Sequence, residues 1–190
     1  MKSILKLLSA FLITAAAFPV AAALNVFACE PEWGSLAREL AGDNAVIFSA
    51  TTALQDPHRI EARPSLIARM RSADLVVCSG ADLESGWLPL LLTQSGNAKV
   101  RPGSPGFVEA SQFVPRLEIP KTLDRALGDI HPGGNPHVHL HPRNVARVAD
   151  VVSERMTQLD PANAADYKAR ASAFRQRWQA ATQRWELQAA

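Results

Sequence analysis

Three short, mainly apolar runs constrain this chain more than any other feature: LNVFAC at 24–29, AVIFSAT at 45–51 and DLVVCSG at 74–80. Continuous apolar strands of that length, separated by helical patterns, belong to a parallel sheet covered on both faces. The intervening segments fit. WGSLARELAGD places Leu36, Ala37 and Leu40 on one helical face and stops at Gly42. LIARMRSA, with Ser65 placed to cap it, is the next helix. The expected fold class is therefore α/β, a parallel-sheet lobe with flanking helices. ESGWLPLLLTQSGN reads as a further helix, 107–110 as a short strand, and TLDRALGDIHPGGN as loop with a turn or two of helix at most.

The last third changes character. From Pro142, Val145, Val148, Val152, Met156 and Leu159 share one helical face, and Asp160-Pro161 breaks it. From Pro161, Tyr167, Ala171, Phe174, Trp178, Ala181 and Trp185 form one apolar stripe. Thirty such residues would make a helix of roughly 45 Å. Phe174, Trp178 and Trp185 are expected to be less buried than their size warrants.

The N-terminus MKSILKLLSAFLITAAAFPVAAA has two lysines, a short apolar run and small residues. That order is an export signal ending at Ala23, too short and too proline-interrupted for a membrane span, so no stable membrane insertion is expected. VFAC at Cys29 loosely resembles a lipidation site but reads better as mature strand. The expected location is periplasmic. A formal net charge of +2, with no basic block, makes nucleic acid a poor partner. Cys29 and Cys78 are the only cysteines. Each ends a predicted strand, and neighbouring strands would let them pair. A disulfide and two buried thiols are equally open readings.

Four of five histidines fall between 131 and 141. Zinc usually takes four tetrahedral ligands from His, Cys, Asp and Glu. His58 lies in QDPHRIEARPS and His137 in GNPHVHLHP, each in an X-Pro-His unit between a predicted strand and a helix. Such turns are where α/β sheets place ligands, and proline limits the entropy lost on ordering them. His58 and His137 are therefore the leading metal ligands. His139 is the third candidate, although an extended segment would turn it to the opposite side from His137. His131 and His141 are expected to contribute little, His141 by entering a helix. No H-E-x-x-H, glycine-rich phosphate loop or G-x-S-x-G is present. A metallohydrolase using His58, His137 and Glu61 is the enzymatic alternative.

DPHRIEARPS is similar to the D-P-H-x-Y-E-P-T-P-S motif of the cluster A-I periplasmic metal-binding proteins of ABC transporters. NPHVHLHPRN and the helices after it are similar to that family's N-P-H-x-W-x-D-P-x-N segment. ADLVVCSGADLESGWLPLLL also resembles a family segment. The resemblance implies two α/β lobes joined by one long helix, with Zn²⁺ or Mn²⁺ held between them. His58 and His137 match the first lobe's two metal-binding histidines. It implies capture and delivery of zinc to an ABC transporter permease rather than catalysis, with an adhesin-like or metal-buffering role on the same fold as the alternative. Histidine favours zinc over manganese. Arg59-Ile60, His139 and His141 depart from the pattern. Family chains run to roughly 300 residues, as two-domain chains do. The expected division is a signal peptide at 1–23, a metal-binding lobe at 24–141 and a helical segment at 142–190 ending in the interlobe helix, with the second lobe absent.

Overall fold

The computed structural model describes residues 22–124 and 130–189. The expected signal peptide, but for its last two residues, and residues 125–129 of the stretch read as loop lie outside them. β1 (Leu24–Ala28), β2 (Ala45–Ser49), β3 (Leu75–Cys78) and β4 (Phe107–Glu109) form one parallel sheet in the order β2-β1-β3-β4. The helices are α1 (Pro31–Ala41), α2 (Pro64–Ser72), α3 (Leu88–Ser95), α4 (Pro142–Leu159) and α5 (Ala164–Ala189). Among them no helix is long and apolar enough to cross a membrane.

The strands' two-residue period divides the core. Leu24, Val26 and Ala28 of β1, with Leu75 and Val77 of β3, face α1, α4 and α5. Phe27 and Cys29, with Val76 and Cys78, face the layer of Leu66, Met70 and Leu91 from α2 and α3. Unbroken apolar runs are the chemical requirement of strands buried on both sides. β2 lies at the sheet edge and is only half-buried. The register sets Ala28 beside Val77, and so Cys29 beside Cys78. The two cysteines form a disulfide with Cα atoms 4.8 Å apart, closing a loop of 49 residues. On the chain-entropy model that constraint contributes roughly 4 kcal/mol.

Helix α3 starts at Leu88, later than the pattern indicates, because residues 81–87 are spent in turns. At the start of α4, His141 occupies the cap and its Nδ1 accepts from Arg143 N at 3.2 Å. Asp160 leaves the helical region, and a short 3-10 turn at Pro161–Asn163 precedes α5, so the last helix begins three residues later than expected. The α5 stripe is not uniformly exposed. Tyr167, Ala171 and Phe174 are buried, Trp178 is half-buried and Trp185 is 43% exposed. Phe174 is better shielded than expected because it packs against the α1–α4 core and stacks on Trp178 at 5.3 Å. The excess exposure belongs to the far end of the helix alone.

Candidate metal centre

The connections after the carboxyl ends of the strands form the rim where open parallel sheets usually place ligands. The loop after β2 carries His58, and the long connection after β4 carries His131, His137 and His139. Asp56-Pro57-His58 and Asn135-Pro136-His137 close on the same side-chain hydrogen bond. Asp56 Oδ1 accepts from His58 N at 3.0 Å, and Asn135 Oδ1 accepts from His137 N at 2.9 Å. In each, an Asx side chain closes the turn and proline sets the middle residue. The motif is thus a device that projects a histidine from a loop at defined position.

His58, His131 and His137 line one cleft of about 530 Å³, together with Glu118, Lys121 and Asn135. His58 Nδ1 lies 2.7 Å from Asp56 Oδ1. A carboxylate accepts but does not donate, so His58 carries its proton on Nδ1 and presents a lone pair at Nε2. That hydrogen bond holds the Asp56 carboxyl below its ordinary range. His58 Nε2 lies 3.0 Å from His131 Nε2. His137 shares the cleft, but its exposed ring stands edge-on to His139, centroids 5.9 Å apart. The three rings are therefore not gathered as a set to ligand distance.

His139 lines a different groove, of about 610 Å³, with Glu32, Trp33, Phe174 and Trp178. Its Nδ1 is 3.3 Å from Glu32 Oε1, an ion-pair distance, but is not aligned for a hydrogen bond. Burial holds the His139 pKa below its usual value against the opposing pull of Glu32. Glu61 is exposed and does not line the histidine cleft. Among the described residues, the group whose potential ligand atoms all lie within 4.8 Å of one another is Cys29, Cys78 and Glu84. With the two sulfurs bonded to each other, it offers no thiolate to a metal.

Behind the rim lies a buried carboxyl pair that sequence reasoning missed. Glu84 accepts from Ser79 N at 2.8 Å and Gly80 N at 3.1 Å, while Glu30 Oε2 accepts from Ser79 Oγ at 3.1 Å. Burial, and then the Glu84 charge, push the Glu30 carboxyl well above its ordinary range, and burial raises Glu84 as well. Burial and the neighbouring charge thus favour the protonated form of Glu30 within the pair. The pair holds a left-handed run, Gly80, Ala81 and Asp82, with φ of 74°, 52° and 68°. For the two non-glycine residues that conformation costs about 1–3 kcal/mol each.

The architecture is thus one parallel α/β lobe with paired histidine turns on the carboxyl rim of its sheet and a long helix leading away from it. The model of the family described as ZnuA, zinc-uptake complex component A, periplasmic, matches residues 26–190, and the chain belongs to that family. It is 27% identical over 154 residues to the metal ABC transporter substrate-binding lipoprotein ScbA of Streptococcus cristatus, covering 80% of this chain and 46% of that one. It is 26% identical over 143 residues to the manganese-binding lipoprotein MntA of Halalkalibacterium halodurans, covering 75% and 42%. A zinc-bound deletion mutant of ZnuA superposes with a TM-score of 0.71 at 25% identity, over 85% of this chain and 56% of that one. A crystal structure of ZnuA, at 24% identity and TM-score 0.70, has the same fold. The chain spans about half the length of these curated relatives.

Proposed function

We propose that this chain is the metal-capturing lobe of a periplasmic solute-binding protein that collects Zn²⁺, with Mn²⁺ as the weaker cargo, for the permease of an ABC importer. The observation that carries the reading is the pair of Asx-Pro-His turns delivering His58 and His137 to one cleft. His58 has its Nδ1 proton on Asp56 and its Nε2 facing that cleft. Carboxylate–imidazole–metal is the arrangement that fixes a metal-binding histidine's tautomer and raises its basicity. Family membership and the naming of relatives as metal transport proteins support the same reading. His139, the third expected ligand, enters the set only if the 138–140 turn rotates its ring out of the Glu32 groove, and a His139→Ala variant separates the two arrangements.

The chemistry is capture and release rather than turnover. Neutral imidazoles donate lone pairs to the metal, so protons compete and affinity falls as pH drops. The exposed end of α5, where Trp178 and Trp185 meet edge-on at 5.5 Å, is the surface we assign to a second lobe that completes the coordination. Zinc titration by calorimetry tests the reading. Binding near one ion per chain, weakened by His58→Ala, is expected; no binding, or binding indifferent to His58 and His137, would sink it.

A further inference from the structure

We propose that His131 is a ligand of the same metal, with Asp82 positioning His131 and Trp87 positioning His58 so that the two rings face one another. This rests on the reading of the cleft as a metal site. Two nitrogens on a tetrahedral zinc, with bonds of about 2.0–2.1 Å, stand roughly 3.3 Å apart. The Nε2 atoms of His58 and His131 are already 3.0 Å apart, so a shift of a few tenths of an ångström admits the ion. Because Asp56 takes the Nδ1 proton of His58, the hydrogen between the two rings belongs to His131 Nε2. A bound cation would sit to one side of the Nε2···Nε2 line, with both rings turned to face it and the His131 proton carried on Nδ1, so that both rings stay neutral.

The two loops that bear these rings are gripped by one segment. Asp82 Oδ2 accepts from Gly133 N at 3.0 Å, two residues past His131. Gly133 sits so tightly on the turn that a Cβ there would lie 2.9 Å from Ala81 Cα. Five residues after Asp82, the buried indole of Trp87 donates to Pro57 O at 2.8 Å, one residue before His58. A Cβ on Gly86 would come within 3.2 Å of His58 O. The strained run Gly80–Asp82, held at its base by Glu84, is thus the common bracket for both loops. Its left-handed geometry is what turns the Asp82 carboxylate outward to the histidine loop. The arrangement supplies a ligand from this lobe that the paired motifs do not contain.

The test is zinc calorimetry on the full chain, with cobalt absorption as a reporter of ligand number. His131→Ala should weaken binding ~10-fold or more and alter the cobalt spectrum. Asp82→Ala removes one exposed hydrogen bond, so it should lower the metal-free melting temperature only slightly while lowering affinity ~10-fold. Asp82→Asn, which keeps an acceptor oxygen, should restore most of it. Adding Asp82→Ala to His131→Ala should cost nothing further, because Asp82 acts only through that loop. If His58→Ala weakens binding and His131→Ala does not, the ligand assignment is wrong while the metal reading stands. If Asp82→Ala is neutral, or costs the same with and without His131, the positioning role is wrong. If neither His58 nor His131 matters, the reading of the cleft itself fails.

Discussion

The His58 and His137 turns share an Asx side-chain hydrogen bond and differ in what surrounds them. Around His58, one carboxylate oxygen of Asp56 receives both the backbone N–H and the ring Nδ1–H, and Trp87 fixes the preceding carbonyl. Around His137, Asn135 spends its oxygen on the backbone N–H and its amide on Glu118 at 2.8 Å, and among the described residues no carboxylate bonds the ring. His58 is half-buried and oriented; His137 is exposed and turned toward His139. An Asx-Pro turn sets where a histidine stands, whereas charge and packing set where its ring points. We read His58 as organised in advance and His137 as recruited by the ion.

The largest expected effect separates the two rings. His58→Ala should weaken zinc binding ~100-fold and His137→Ala ~10-fold, since losing a preorganised ligand costs more than losing one that must be ordered on binding. Equal losses in calorimetry would erase the distinction. Exchanging the turn residues should sharpen it. Asp56→Asn keeps the turn but removes the carboxylate and should lower affinity ~10-fold, while Asn135→Asp should hold or raise it. Trp87→Phe removes the indole donor, and should lower stability by about 1 kcal/mol in denaturant titration and loosen only the His58 side. The smallest effect is on acid stability. The folded state lowers the Asp56 pKa through its bond to His58. Its contribution is therefore present above the ordinary aspartate range and lost as pH falls through the lowered value. Glu30 has the opposite sign: raised by burial, it favours folding most at acid pH and less as pH rises through its folded value. Glu30→Gln should flatten that alkaline decline, and a steeper one would contradict the raised Glu30 pKa.

By itself, the sequence determined what periodicity and turn chemistry encode. The apolar runs at 24–29 and 74–80 are legible as doubly buried strands because burial on both faces admits no polar alternation. Pro142 and Asp160-Pro161 mark helix boundaries through the missing N–H and the fixed φ of proline. The paired X-Pro-His units are legible for the same local reason. Tertiary structure decided the rest. Whether Cys29 and Cys78 pair depends on β1 and β3 being neighbours, a fact of strand order that no local pattern carries. The ring nearest His58 is His131, 73 positions away, because Gly133 rests on a left-handed turn held by a buried carboxyl pair. Asp82, Glu84 and Trp87 look like ordinary loop and helix residues in the sequence. Their role comes from hydrogen bonds between segments distant along the chain, and those exist only once the sheet has set the loops side by side.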